Sequence, residues 1–176
     1  MSDHRRAPHE FVAEAREIIE RQDEGRAPVL PVAYVDQAQA AARDAAGTYD
    51  RLWNAASADE DVRVDVDGFH EDHVALILAL DAAMKRRVRR SCPHAQNTGI
   101  RPFVADLAAG VMACEPCAER LPPLAPSRTC DVCETRAYRL LEAYVQYGPA
   151  IFRGRMCLRC RRFAPESGLA SEDSAP

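Results

Sequence analysis

All seven cysteines of this 176-residue chain fall between positions 92 and 160, in a punctuated order: Cys92-Pro-His94, then Cys114-x2-Cys117, Cys130-x2-Cys133 and Cys157-x2-Cys160. No other feature constrains the fold as strongly. A C-x2-C step turns two sulfurs toward one point, and a C-x-H step presents a sulfur and an imidazole nitrogen in a similar way. Four such steps supply enough ligands for two closed, four-coordinate metal sites. Disulfides are the competing use of the thiols. Seven is an odd count, however, and a disulfide framework would leave one thiol over, whereas seven cysteines and His94 complete two ligand sets.

Thiolates and imidazole suit Zn2+, whose filled d shell accepts a tetrahedral site, so two zinc ions are expected. Iron held by Cys130, Cys133, Cys157 and Cys160 is the lesser alternative. Rubredoxin-type knuckles continue with glycine after the second cysteine, whereas Glu134 and Arg161 stand there here. The pairing is open to three arrangements. The sequential one joins Cys92, His94, Cys114 and Cys117, and then the last four cysteines. A cross-brace alternates the pairs. A third makes an inner site of Cys114, Cys117, Cys130 and Cys133.

The sequential order is favoured because the stretch reads as a divergent duplication. Nineteen residues separate His94 from Cys114, and 23 separate Cys133 from Cys157. Each interval holds apolar segments before its closing knuckle: Phe103–Leu107 and Gly110–Cys114 in the first, Tyr144–Tyr147, Ala150–Phe152 and Gly154–Cys157 in the second. A hairpin between two metal knuckles resembles a zinc ribbon, and residues 90–163 resemble zinc ribbons at the level of fold class. The resemblance implies two small β modules, over 91–121 and 122–163, joined through Pro122, Pro123 and Pro126. Thr135–Tyr147 also satisfies a helical period through Leu140, Leu141, Tyr144 and Val145, so strand and helix both remain open there.

The front half differs in charge and periodicity. Residues 1–84 carry 8 basic and 18 acidic side chains, and residues 85–176 carry 15 and 9. Such polarisation suggests two functional surfaces or one half docking on the other. The periodicity predicts helices from Pro8 to Gly25, from an N-cap at Asp36 to Ala58, and from Phe69 to Arg90. The alternating Val62, Val64 and Val66 predict a short strand. The second helix carries an alanine stripe (Ala38, Ala41, Ala42, Ala45) ending in Tyr49, Leu52 and Trp53, and Trp53 reads as a core anchor. The apolar run Val74–Leu80 predicts burial on more than one side. The class is therefore α+β: an acidic, mainly helical region over 1–90, two zinc modules, and a disordered tail over 164–176.

Several motifs fall short of chemistry. His70-Glu-Asp-His73 spaces its histidines by three rather than the four of a zinc-protease helix, and acidic residues in a first helical turn satisfy the dipole. Asp65-Val-Asp67-Gly68 lacks the remaining ligands of a calcium loop. Cys92-Pro-His94-Ala-Gln96 has glutamine where a zinc deaminase needs a proton-exchanging glutamate, and Cys92 fills the position a catalytic water would take. The chain is accordingly not expected to be an enzyme.

Two uses remain: a zinc-stapled adaptor that binds proteins, and a nucleic-acid-associated protein. The second would use basic clusters flanking the metal unit: Lys85, Arg86, Arg87, Arg89 and Arg90 before it, Arg153, Arg155, Arg159, Arg161 and Arg162 within it. The longest unbroken apolar run, Val74–Leu80, has seven residues, far below the ~20 needed to span a bilayer. No secretory leader pattern opens the chain, so a cytoplasmic protein without membrane contact is expected. Metal removal is expected to unfold residues 90–163 and spare the front helices.

Overall fold

The computed structural model describes residues 7–25, 32–55, 62–65, 70–96 and 101–163. They form α1 (Val12–Asp23), entered through a 3-10 turn at Pro8–Phe11, α2 (Val32–Ala55), β1 (Val62–Asp65) and α3 (Glu71–Arg87). Then come β2 (Arg90–Ser91), a 3-10 turn at Pro93–Gln96, β3 (Phe103–Asp106), β4 (Val111–Cys114) and the one-turn helix α4 (Glu115–Ala118). The last described elements are β5 (Leu140–Tyr147), β6 (Ala150–Cys157) and the one-turn helix α5 (Leu158–Arg161). The class is α+β, with a helical front half and a mixed sheet behind it.

The sheet has six strands in the order β1-β5-β6-β3-β4-β2. Two antiparallel hairpins form its centre: β3 with β4, where Phe103 faces Cys114, and β5 with β6, where Leu140 faces Cys157. They meet through parallel pairing of β3 with β6, from Phe103 against Ala150 to Asp106 against Arg153. The front half contributes β1, which lies parallel to β5. Gly148, at φ 54°, supplies the positive φ that the two-residue β5–β6 turn requires. Thr135–Tyr147 thus resolves as loop followed by strand: Leu141, Ala143 and Val145 are buried toward one face and Tyr144 toward the other, a period of two.

Helices cover both faces. On one, α1 and α3 share the main core with the sheet: Phe11, Ala15, Leu76, Ala79 and Leu80 join Ala105, Leu141, Val145, Phe152 and Met156. Helix α3 is buried on more than one side, because it packs against α1 and the Pro8–Phe11 turn as well as against the sheet. On the other face α2 lays Ala45 and Tyr49 against Val104, Tyr144 and Ile151, and Tyr49 Oη donates to the Tyr144 carbonyl at 3.0 Å. The alanine stripe lets α2 sit close.

Two boundaries depart from the sequence-based expectation. Helix α2 begins at Val32, so Asp36 is an exposed residue one turn inside it and not its cap; valine's small propensity penalty is outweighed once an alanine-rich helix propagates past it. Helix α3 stops at Arg87 and not at Arg90: Val88 is extended (φ −72°, ψ 114°), and the amides of Arg89 and Arg90 donate to the Gly110 carbonyl at 3.0 and 3.3 Å. Sheet pairing there replaces another helical turn and delivers Cys92 to its site. The Trp53 side chain, Ala56–Ala58, Val66, Phe69 and the tail 164–176 lie outside the described residues.

Candidate metal centres

Each C-x2-C closing step has the same local origin. Strand β4 ends on Cys114, which caps α4 and leaves Cys117 within its single turn; β6 ends on Cys157, which caps α5 and leaves Cys160 in the same place. The opening steps arrive alongside those strands. The Cys92 amide donates to the Met112 carbonyl at 2.8 Å, and the Asp131 amide to the Arg155 carbonyl at 2.7 Å, each acceptor two residues before its closing cysteine. The Cys114 amide donates to Cys92 Sγ (3.2 Å) and the Cys157 amide to Cys130 Sγ (3.4 Å). The two closing steps thus share one hydrogen-bonding pattern, an amide at the end of the strand donating to the sulfur of the first cysteine of its group.

Two groups result: Cys92, His94, Cys114 and Cys117; and Cys130, Cys133, Cys157 and Cys160. Within each group the ligand atoms all lie within 4.8 Å of one another. The pairing is the sequential one. None of the seven cysteines is in a disulfide. A tetrahedral zinc with bonds of about 2.3 Å to sulfur sets its ligand sulfurs about 3.8 Å apart. Cys130 and Cys160 stand 3.9 Å apart, and Cys133 and Cys157 3.8 Å. At the first site His94 Nδ1 lies 3.4 Å from Cys117 Sγ. The residues therefore fit zinc, three thiolates with an imidazole at one site and four thiolates at the other. The same sulfur geometry would accept iron at the second site.

The electrostatics of the thiols show what an ion must overcome. Cys117 is pushed up to about 11, first by its hydrogen bond with Cys114 and then by desolvation. At the second site the sulfurs share protons. Cys130 and Cys160 are pushed up by neighbouring sulfurs, Cys130 through Cys133 first and Cys160 through Cys130 first. Cys133 is pulled down, and Cys157 falls to about 6, both chiefly through hydrogen bonds with Cys130. Four crowded thiols cannot all ionise by themselves, and a bound divalent cation supplies the missing charge.

Acidic residues hold the first knuckle of the second site. Buried Asp131 accepts from the Arg155 amide (2.7 Å) and pairs with Arg87 Nη2 (2.7 Å). Burial pushes its carboxyl up, against both partners. Glu134, in the left-handed region at φ 58°, pairs with Arg86 Nε at 2.7 Å, and Arg86 Nη2 donates to the Val132 carbonyl at 2.9 Å. Gly154 passes beneath Asp131, where a Cβ would lie 3.3 Å from the Asp131 side chain and from Leu107. Sequence reasoning missed Asp131 and Glu134 as positioning residues. The signal was present in two acidic side chains inside a basic metal-binding stretch, opposite a helix ending in Lys-Arg-Arg.

Six of the ten residues of the basic clusters have partners within the fold. Lys85 pairs with Asp81 (2.5 Å) within α3. Arg86 and Arg87 hold the knuckle as above. Arg153 is buried against Asp106 (3.0 Å) and donates to the Pro122 carbonyl at 2.8 Å. Arg155 donates to the Leu124 carbonyl and reaches Glu142 at 3.4 Å. Arg159 contacts His9. Arg89, Arg90, Arg161 and Arg162 are exposed.

His70 caps α3 by accepting from the Asp72 amide at 3.3 Å, and its ring centroid lies 5.4 Å from that of His73. Neither belongs to a ligand group among the described residues. Among those residues no helix is long and apolar enough to cross a membrane. Compared with protein-family models, curated protein sequences and solved structures, the chain matches none.

Proposed function

We propose that this chain is a non-catalytic, two-zinc scaffold that acts as a protein-interaction adaptor. One observation carries the reading: each ligand group is already complete with four protein ligands, so a tetrahedral ion has no position left for a substrate or an activated water. The ions then serve the fold, and function falls to the surfaces that the fold presents. Elemental analysis of native protein should give two zinc per chain. Affinity capture with the zinc-loaded chain, followed by reconstitution from purified components, should give a defined partner protein; a monomer that reconstitutes with none of its captured proteins would end the adaptor reading.

Nucleic-acid association is a second reading, favoured by the exposed Arg161 and Arg162 at the end of α5 and Arg89 and Arg90 at the start of β2. Arg86, Arg87, Arg153 and Arg155 weigh against it, since all four are engaged inside the fold. Oligonucleotide binding that weakens steeply with salt would support it.

A further inference from the structure

The two ligand groups differ in how far the fold depends on them. All four cysteines of the second group are buried, and all four belong to the main core. In the first group Cys92, Cys114 and Cys117 are half-buried and His94 is exposed. None of these four belongs to the main core, and only Cys117 touches the smaller cluster, at its margin. The strands beside the first site also have anchors of their own. Val104 and Ala105 are buried on opposite faces, β3 pairs with β6, Asp106 holds Arg153, and the Leu107 carbonyl accepts from Arg87 Nε at 2.8 Å. An ion at the first site alone would hold α4, the segment at Cys92–His94, and little else. A one-turn helix cannot persist by its own hydrogen bonds. Helix α4 is tied to α2 through Arg51, which pairs with Glu115 and, at 3.0 Å, with Glu119.

We propose that the first site is a releasable, oxidant-responsive site: its ion departs while the sheet and the second site persist, and the departure loosens α4 from α2. The proposal rests on the reading that each group holds zinc. The oxidant class is a peroxide. One thiolate of the Cys114–Cys117 pair attacks the peroxide O–O bond and becomes a sulfenic acid, releasing hydroxide. The second thiolate attacks that sulfur and displaces another hydroxide. Two thiolates, one hydrogen peroxide and two protons thus give one disulfide and two waters. The sulfurs start within 4.8 Å of each other. A disulfide is a poor zinc ligand, so Cys92 and His94 alone remain and the ion leaves. A thiol reductant with added zinc reverses the change.

The test uses the full zinc-loaded chain and hydrogen peroxide, following zinc with a colorimetric chelator and structure by circular dichroism and hydrogen exchange. One zinc per chain should leave at least about tenfold faster than the other, because accessible thiolates react first. Helical and sheet signals should persist through that phase, peptide mapping should find a Cys114–Cys117 disulfide, and exchange should rise over residues 114–121 and the last turns of α2. Cys117→Ser should abolish the fast phase, and His94→Cys, which keeps four ligands, should retain it. Simultaneous loss of both ions, unfolding with the first ion, or a first disulfide among Cys130, Cys133, Cys157 and Cys160 would overturn the proposal whether or not the variants fold. A starting content below two zinc per chain would instead overturn the metal reading beneath it.

Discussion

The two faces of the sheet solve the burial problem differently. The face under α1 and α3 is largely apolar, from Ala105 and Val145 to Phe152 and Met156, with the Asp131–Arg87 pair beside Gly154, and the second ligand group is set into that core. The face under α2 is mixed. Val104, Tyr144 and Ile151 meet Ala45 and Tyr49, but the alternation of β3 and β6 also places Asp106 and Arg153 on that side. There the proline-rich connector, and not a helix, provides cover: Arg153 and Arg155 bind the carbonyls of Pro122 and Leu124. The first, thick face lies wholly under helices and encloses a metal site; the second, thin one is covered partly by α2 and partly by the connector, which polar side chains hold down.

Metal removal separates the faces most strongly. Because Cys130, Cys133, Cys157 and Cys160 share a core with Phe11, Leu76 and Leu80, full chelation should collapse α1 and α3 together with the sheet. This reverses the expectation from sequence that the front helices would survive, because the shared core ties α1 and α3 to the cysteines. Far-UV circular dichroism during chelation checks it; retention of most helical signal after loss of both ions would show that the thick face is not one cooperative unit.

The buried ion pair of the thin face comes next. Arg153→Met strands Asp106, which is 1% exposed, and should cost about 3–5 kcal/mol by denaturant midpoint. The double variant Asp106→Asn/Arg153→Met should recover part of that loss, since Asn can still accept from the Ala109 amide as Asp106 Oδ1 does at 2.8 Å. An equal or greater cost in the double variant would show that packing, and not the stranded charge, sets the penalty.

A smaller pair of changes compares apolar with polar contributions. Leu80→Ala on the thick face should cost about 2–5 kcal/mol. Tyr49→Phe on the thin face should cost about 0.5–1.5 kcal/mol, the net worth of one hydrogen bond. A reversed order would mean that the α2 contact dominates.

The weakest effect is titration at the start of α3. Burial holds His73 below the ordinary imidazole value of 6.5, with His70 pushing the same way and Asp72 opposing. The unfolded chain therefore binds the proton first as pH falls. This contribution is fully present above about pH 6.5 and is lost as pH drops toward the folded-state value. His73→Gln should flatten the stability–pH slope in that window, and an unchanged slope would assign it elsewhere.

Much of the fold is legible in the sequence. The helical periods of 8–25 and 69–90, of which 71–87 is helix, the short strand begun by Val62 and Val64, and the ligand spacing all express local rules about side-chain direction. Thr135–Tyr147 is not legible in that way, because Leu141 and Val145 serve a strand face and a helical stripe equally well; pairing with β6 decides between them. The arginines are opaque for another reason. A guanidinium can hold a phosphate, a carboxylate or a carbonyl, and only the positions of Asp131, Glu134, Asp106 and the 122–124 carbonyls show what Arg86, Arg87, Arg153 and Arg155 bind.

By itself the sequence determined the ligands, their spacing and the repeated knuckle, because a C-x2-C turn and its capped one-turn helix are local structures. The tertiary structure decided which ligand set lies in the core and which at the margin. That outcome depends on β3 pairing with β6 and on Arg86 and Arg87, at the end of α3, reaching Glu134 and Asp131. Both are contacts between residues far apart in the chain, and no local pattern encodes them.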